Sequence, residues 1–167
     1  MKVAFRTFGC QMNMNDTEAM MGILSAAGHK IAGSEEEADA IIVNTCAVRG
    51  KSEDKLYGKL GQLKALKKKN GRLLVGVCGC VAEKNATELL THKEVDFVFG
   101  TRSITKVDEL LGRAESGERF IEMGDFIDEL DSDTPRIRTS SHHAWITIIF
   151  GCDKFCSYCI VPYTRGR

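Results

Sequence analysis

Three cysteines near the carboxyl end of this sequence are the side chains best suited to chemistry. Cys152, Cys156 and Cys159 follow one another at offsets of four and three residues, so one tight loop can wrap their thiolates around a single inorganic centre. Each iron of a 4Fe-4S cluster needs one ligand beyond its bridging sulfides, so three thiolates leave the fourth iron open. An open iron can bind a substrate or cofactor, and the spacing therefore predicts a catalytic cluster.

A zinc loop is the alternative interpretation of the same cysteines. Structural zinc takes a fourth nitrogen or sulfur ligand in addition to three thiolates. No cysteine or histidine follows Cys159 in the sequence. The iron–sulfur interpretation is therefore favoured over zinc.

A second set of cysteines, far apart in sequence, follows predicted strands. Cys10, Cys46 and Cys80 each come just after a strand pattern. In an open parallel α/β sheet the loops at the carboxyl ends of the strands line one crevice, so the three thiols are expected to converge. Three thiolates again predict a cluster with an open iron. The alternative is that these cysteines are small buried side chains, the usual role of a free cysteine.

The elements that must position these thiols alternate along the chain. Strand patterns lie at 2–8, 40–45, 72–78, 95–100 and 120–123. Helix patterns run over 15–27, 52–69, 83–90 and 103–114, with a short helical turn at 34–37. This alternation predicts an α/β fold with a parallel sheet and helices on both faces, a doubly wound, flavodoxin-like arrangement.

An acidic stretch marks the expected domain boundary. Residues 122–133 carry six acidic side chains and no lysine or arginine, and Pro135 follows. We therefore expect a first domain at 1–124, a linker at 125–143 and a second unit at 144–167. Its first strand is predicted at 144–150, directly before the cysteine loop.

The composition is that of a globular chain with balanced charge. The 167 residues, 43% of them hydrophobic, can bury one ordinary core and begin a second. The 23 basic and 23 acidic residues favour neither a nucleic acid nor an anionic membrane as partner. No long apolar run or signal peptide is visible, which predicts a cytoplasmic protein with no membrane partner. Seven cysteines, an odd number, favour reduced thiols that serve metals over disulfides.

Several motifs resemble one known family. Cys152–Cys159 matches cysteine-x3-cysteine-x-aromatic-cysteine, with Tyr158 as the aromatic residue, and Ile-Val-Pro-Tyr-Thr-Arg-Gly-Arg follows. The stretches at 9–13 (Gly-Cys-Gln-Met-Asn), 43–49 (Val-Asn-Thr-Cys-Ala-Val-Arg) and 79–83 (Gly-Cys-Val-Ala-Glu) are similar to the three cysteine motifs of the same family. The sequence thus resembles the methylthiotransferase family of radical S-adenosylmethionine (SAM) enzymes, and within it the branch that modifies adenosine-37 of tRNA.

The resemblance implies roles for the loop near the carboxyl end. Cys152, Cys156 and Cys159 would hold a 4Fe-4S cluster whose open iron chelates SAM, and Tyr158 would lie by the SAM adenine. Reductive cleavage of SAM would then give a 5'-deoxyadenosyl radical, for which an electron donor such as flavodoxin or ferredoxin is implied.

It also implies the role of the first cysteine set. Cys10, Cys46 and Cys80 would hold a second 4Fe-4S cluster that carries the sulfur to be transferred. The two clusters and SAM would together place a methylthio group on C2 of N6-isopentenyladenosine-37 in the tRNA anticodon loop. No acid–base residue is assigned, and the oligomeric state stays open.

The resemblance further predicts that the chain is an N-terminal fragment. A radical SAM barrel requires about 200 residues, and only its expected first strand and loop are present. The fragment would therefore not be active alone, and tRNA would bind mainly through the missing parts. The alternatives are a methylthiotransferase that acts on a ribosomal protein, or a metal or iron–sulfur binding module without radical chemistry.

Three further residues have two interpretations each. Cys78 could compete with Cys80 as a ligand, but its place in a strand pattern favours a side chain that faces the core. Arg165 and Arg167 could bind a SAM carboxylate or a phosphate. Arginines at such positions are more commonly solvated.

Overall fold

Six parallel strands form a sheet at the centre of the protein. The computed structural model describes residues 1–48, 50–124 and 133–167. Its strands are Lys2–Phe8 (β1), Lys30–Ile31 (β2), Ala40–Thr45 (β3), Leu74–Cys78 (β4), Phe97–Phe99 (β5) and Phe120–Glu122 (β6). The order across the sheet is β2-β1-β3-β4-β5-β6, and every neighbouring pair is parallel. The order reverses between β1 and β3, which is the switch point where ligands bind in open α/β sheets.

Helices cover both faces of this sheet. They are Gln11–Ala26 (α1), Gly50–Lys69 (α2), Cys80–Thr91 (α3), Val107–Glu115 (α4) and the short Val161–Thr164 (α5), with a 3-10 turn at Ile104–Lys106 before α4. One apolar core joins the sheet to α2 and α3. The other joins the opposite face to α1 and α4. The predicted doubly wound, flavodoxin-like α/β arrangement is confirmed.

The inner strand β3 is buried along its whole length, as expected in a parallel sheet. All six residues of β3, Ala-Ile-Ile-Val-Asn-Thr, are buried. Both faces of a parallel sheet are covered by crossover helices, so its inner strands are apolar along their whole length. Phe8 pairs with Thr45, and Asn44 pairs with Cys78. The carboxyl ends of β1, β3 and β4 are therefore level.

Several element boundaries differ from the sequence prediction. Helix α1 begins at Gln11, four residues before the predicted start at 15, and α3 begins at Cys80 rather than at 83. The predicted helical turn at 34–37 is a bend and turn instead, and β2 was not predicted. A two-residue strand has too few residues to show an alternating pattern, and its formation depends on the neighbouring β1.

The predicted strand at 144–150 is not formed. These residues have no regular secondary structure and pair with no strand among those described. A strand requires a neighbour to accept and donate its backbone hydrogen bonds. Without one, the alternation in sequence leaves apolar side chains in solvent, and Ile148 is 89% exposed.

Residues 133–147 instead pack as irregular chain against α1. The backbone N–H of Ile137 donates to the carbonyl oxygen of Glu18 over 3.0 Å. A Cβ on Gly22 would lie 2.1 Å from the carbonyl oxygen of Pro135, so only glycine lets the two backbones approach this closely. The eight residues at 125–132 of the predicted linker and Arg49 of the second cysteine motif lie outside the described residues.

Among the described residues, no helix combines the length and apolar character needed to cross a membrane. The longest, α2, has 20 residues. Three lysines occupy its last turn, where positive charge is favourable to the helix dipole. The apolar faces of α1 to α4 pack against the two faces of the sheet.

Candidate metal centre

Three cysteines follow three neighbouring strands at one edge of the sheet. Cys10 comes after β1, Cys46 comes directly after β3, and Cys80 comes after β4. The backbone N–H of Cys46 donates to the carbonyl oxygen of Phe8 over 2.9 Å, which fixes the β3 loop against the end of β1. The prediction that these cysteines lie at the carboxyl ends of adjacent strands is confirmed.

Two glycines bring the three cysteine loops into contact. A Cβ on Gly9 would lie 2.9 Å from the Cβ of Cys46. A Cβ on Gly79 would lie 2.4 Å from Asn44 Oδ1 and 2.6 Å from the carbonyl oxygen of Thr45. Gly79 also has a φ of +94°, a left-handed value that favours glycine. The residue before Cys10 and the residue before Cys80 therefore both pack against the end of β3.

Hydrogen bonds of two buried amide side chains join the loop after β1 to the end of β3. Cys10 Sγ donates to Asn13 Oδ1 over 3.3 Å, and Asn13 Nδ2 donates to Asn44 Oδ1 over 2.9 Å. Asn44 Nδ2 in turn donates to the carbonyl oxygen of Asn13 over 3.0 Å and to Thr17 Oγ1 over 3.1 Å. This network spans β3 and the first turns of α1, so it holds Cys10 in position relative to the end of β3.

Backbone N–H groups lie close to the three thiols. The backbone N–H of Val48 donates to Cys46 Sγ over 3.3 Å. Cys10 caps α1 and Cys80 is the first residue of α3, so both lie at helix N-termini. A helix N-terminus carries a partial positive charge, and cysteine binds metals as the thiolate.

Three thiolates are the donor set of a 4Fe-4S cluster with one open iron. Over the ranges that the structure describes, no three His, Cys, Asp or Glu side chains group closely enough to hold one metal ion. In a 4Fe-4S cluster each thiolate binds a different iron, so the sulfurs stand farther apart than ligands of one ion. The loops that carry the three thiols meet at level strand ends, and their shared ligation of such a cluster stays a prediction. Thr45 Oγ1, buried beside Cys46 without a hydrogen-bond partner, is a further polar atom at this edge.

The second cysteine set lies in a closed surface loop. The backbone N–H of Cys152 donates to the carbonyl oxygen of Gly166 over 3.0 Å, and that of Cys159 donates to the carbonyl oxygen of Cys156 over 2.9 Å. Cys156 is exposed, while Cys152 and Cys159 are half-buried. Tyr158 is 92% exposed and free to stack on a planar ligand. Its role, like that of the three thiols, stays a prediction.

A buried ion pair joins this second segment to the first cysteine set. Arg165 Nη2 donates to Asp16 Oδ2 over 2.6 Å, and both side chains are almost fully buried. Burial lowers the pKa of Arg165, but the charge and hydrogen bond of Asp16, together with Cys80, outweigh it and raise this pKa above its ordinary value. Arg165 is therefore a fixed cation beside Cys80, and the expectation that it is solvated is wrong.

Cys78 lies in the apolar core. It is fully buried among the side chains that join the sheet to α1 and α4. Burial, with a smaller contribution from the negative charge of Asp16, raises the pKa of the Cys78 thiol well above its ordinary value. The prediction that Cys78 is a core residue is confirmed.

Comparison with known proteins agrees with these features. The family model described as "Uncharacterized protein family UPF0004" matches residues 2–100, which include β1 to β5 and all three cysteines at the strand ends. The chain belongs to the UPF0004 family. The matched region of this UPF0004 chain ends just after β5, so it holds the switch point but not the cysteine loop at 152–159.

Similar proteins extend the match to the whole UPF0004 chain. A protein of Thermotoga petrophila named tRNA-2-methylthio-N(6)-dimethylallyladenosine synthase is 56% identical over 167 residues, which are 100% of this chain and 37% of that protein. Proteins of the same name from Pseudothermotoga lettingae and Bacillus subtilis are 53% and 46% identical, with 100% and 99% of this chain covered. The chain thus spans 38% of the Pseudothermotoga protein and 33% of the Bacillus protein.

Sequence reasoning about this UPF0004 chain missed its buried polar anchors. Asp16 and Arg165 are separated by 149 positions, and no local pattern links them. Glu18 is buried and accepts hydrogen bonds from the backbone and hydroxyl of Thr139 over 2.9 and 2.7 Å. The one available signal was the polar run Asn-Asp-Thr-Glu at 15–18 inside a helix pattern, because charged residues on a buried helix face require partners.

Proposed function

We propose that the protein to which this chain corresponds is a radical SAM methylthiotransferase that modifies tRNA. The proposed reaction replaces the hydrogen on C2 of N6-isopentenyladenosine-37, in the anticodon loop, with a methylthio group. The observation that carries the proposal is the pair of cysteine triads, one on adjacent strand ends and one in the loop at 152–159. The name of the relatives, which are similar over the whole chain, supports the same substrate.

Each triad is proposed to hold a 4Fe-4S cluster. Cys10, Cys46 and Cys80 are the ligands of the first cluster, and Cys152, Cys156 and Cys159 are those of the second; Tyr158 lies beside the SAM adenine. When bound, the two clusters supply a sulfur to transfer and an electron for the cleavage of SAM. Three ligands for each cluster leave one iron open in both.

The residues of the chain have positioning roles in this proposal. The N–H of Val48 donates to Cys46 Sγ, and Cys10 and Cys80 stand at the N-termini of α1 and α3. Gly9 and Gly79 allow the three loops to meet at the end of β3. The burial of Cys46 and Cys80 excludes water from their side of the site. A sulfur carried there is thereby protected from hydrolysis and oxidation.

The domain division supports separate tasks for the two triads. We assign residues 1–124 to the sulfur-donor domain and residues 144–167 to the start of the radical SAM unit. The whole protein would have a length similar to that of the relatives, of which the chain spans about a third. Its remaining parts would bind most of the tRNA, and an electron donor such as a flavodoxin or ferredoxin would supply the reductant.

The test is an assay of the full-length protein on undermodified tRNA. After anaerobic reconstitution with iron and sulfide, the protein is incubated with SAM, a reductant and tRNA from cells that lack the modification. Mass spectrometry of digested nucleosides should show a methylthio group on N6-isopentenyladenosine. Modification of a ribosomal protein instead of tRNA would reassign the substrate. One bound zinc with no sulfide would identify a metal-binding module and contradict the proposal.

A further inference from the structure

Arg165 has one buried nitrogen that nothing in the described chain satisfies. The side chain is 3% exposed, and its Nη2 donates to Asp16 Oδ2. Its Nη1 is buried without a hydrogen-bond partner. A buried guanidinium N–H that loses its water without gaining an acceptor is costly, so such atoms are rare unless a ligand or ion completes them. The unsatisfied Nη1 therefore points to an acceptor that is absent from the polypeptide.

Two contacts to the guanidinium and one to the neighbouring backbone hold Arg165 in place. Asp16, on the second turn of α1, binds one side. The Phe150 ring lies with its centroid 5.5 Å from Arg165 Cζ. The carbonyl oxygen of Thr164, the preceding residue, accepts a hydrogen bond from Thr101 Oγ1 over 2.7 Å. Each contact comes from a different element, so Arg165 has little freedom to turn away.

The same anchors hold Arg165 beside Cys80. Glu83 Oε1, in the first turn of α3, accepts from the backbone N–H of Thr101 over 2.8 Å, so Thr101 links the backbone of Thr164 to the turn that begins at Cys80. Cys80 contributes to the raised pKa of Arg165, so its thiol lies close to this guanidinium. The cation therefore lies beside Cys80, one of the three thiols (Cys10, Cys46 and Cys80) that form the strand-end triad.

We propose that Arg165 Nη1 donates a hydrogen bond to a sulfur of the cluster held by Cys10, Cys46 and Cys80, and that Asp16 positions it. This inference rests on the proposed function. Hydrogen bonds to cluster sulfurs and nearby positive charge stabilise the reduced cluster and raise its reduction potential. Arg165 belongs to the segment at 144–167, which carries the proposed SAM-binding loop. This segment would therefore set the reduction potential of the cluster held by Cys10, Cys46 and Cys80 in residues 1–124.

The experiment measures the potential of the strand-end cluster alone. The full-length protein with C152A, C156A and C159A retains only that cluster, and its midpoint potential is measured by anaerobic redox titration followed by electron paramagnetic resonance. In this background R165Q removes the positive charge and the guanidinium N–H donors, and the reduction potential of the cluster should fall. D16N keeps the cation but removes its counter-charge, and the potential should rise. R165K keeps the charge at a different position and should give a smaller fall than R165Q.

A matched control separates the local effect from a general change of charge. Arg72 is exposed and precedes β4, at the opposite edge of the sheet, so R72Q should leave the potential unchanged. Iron is counted in every variant. Opposite shifts in R165Q and D16N with full iron support the proposal, whereas unchanged potentials or shifts of the same sign overturn it. If R165Q fails to fold, the rise in D16N and the fall in R165K decide. A parent protein that binds no iron contradicts the proposed function itself.

Discussion

Asp16 and Arg165 form an ion pair of 2.6 Å across 149 positions of the chain, and both side chains are buried. Removal of one partner leaves the other as an uncompensated buried charge, which typically costs about 3–5 kcal/mol. We therefore expect D16A to lower the free energy of unfolding by about that amount. Urea denaturation followed by circular dichroism measures this loss.

The control for D16A is an exposed ion pair of the same protein. Asp108 binds His29 on the surface, and its side chain is 49% exposed. Exposed pairs contribute about 0–1 kcal/mol, so D108A should cost far less than D16A. Equal losses in the two variants would contradict the role of the buried pair as the anchor of the second segment.

Gly79 should tolerate no side chain. In G79A the left-handed φ costs about 1–2 kcal/mol, and the added Cβ meets Asn44 and Thr45. Gly117 has a φ of +91° with nothing within 4 Å of its Cβ position, so G117A contains the strain without the collision. G79A should therefore be the less stable variant by thermal unfolding, and only G79A should lose iron on reconstitution. Equal iron in both variants would show that the loop before Cys80 does not shape the site.

The Glu18 carboxylate should make the free energy of unfolding decrease in acid. Burial raises the pKa of Glu18, but hydrogen bonds from Thr139 and Arg138 outweigh it, so the pKa lies below its ordinary value of 4.5. As the pH falls through 4.5, the unfolded chain takes up a proton that the folded chain resists. The stabilisation is therefore complete above that pH and is lost as the pH falls through the folded pKa. Urea denaturation of the metal-free chain at pH 7 and below pH 4.5 measures this loss of stability.

Substitution at Glu18 isolates this contribution. E18Q should be less stable than the parent at neutral pH and should depend less steeply on pH in acid. Glu109 is exposed on α4, so E109Q is the matched control and should follow the parent curve. A curve for E18Q that parallels the parent at all pH values would assign the acid sensitivity to other carboxyl groups.

Cys78 and Cys80 should differ in their effect on iron. C78A removes one sulfur from an apolar core and should cost about 1 kcal/mol of stability, with full iron content. C80A should remove a cluster ligand and lower the iron content after anaerobic reconstitution. Colorimetric iron and sulfide assays give the comparison. Loss of iron in C78A at unchanged folding would make Cys78 the ligand instead.

The sequence was sufficient for the parallel sheet because the apolar strands carry their own signal. Five of the six strands were predicted, and the positions of Cys10, Cys46 and Cys80 at their ends followed from topology. The stretch at 144–150 is similarly apolar, yet it forms no strand because no described neighbour pairs with it. Local pattern indicates which residues can form a strand, while pairing decides whether they do.

Only part of the candidate site could be predicted from the sequence. The sequence predicts that Cys10, Cys46 and Cys80 follow the ends of neighbouring strands, and the structure places them there. The cation beside Cys80 could not be predicted, because Arg165 meets Asp16 only through the packing of the second segment on α1. Tertiary contacts between distant residues leave no spacing rule in the chain.

The central claim is that Cys10, Cys46 and Cys80 bind one cluster together. The most direct measurement is the iron content and Mössbauer spectrum of the full-length C152A/C156A/C159A protein after anaerobic reconstitution, with C10A, C46A or C80A added singly. We predict about four irons per chain in the C152A/C156A/C159A protein. Each of the three further substitutions should remove the same component of the Mössbauer spectrum. Full retention of iron in any one of the three would contradict the claim that these thiols share a centre.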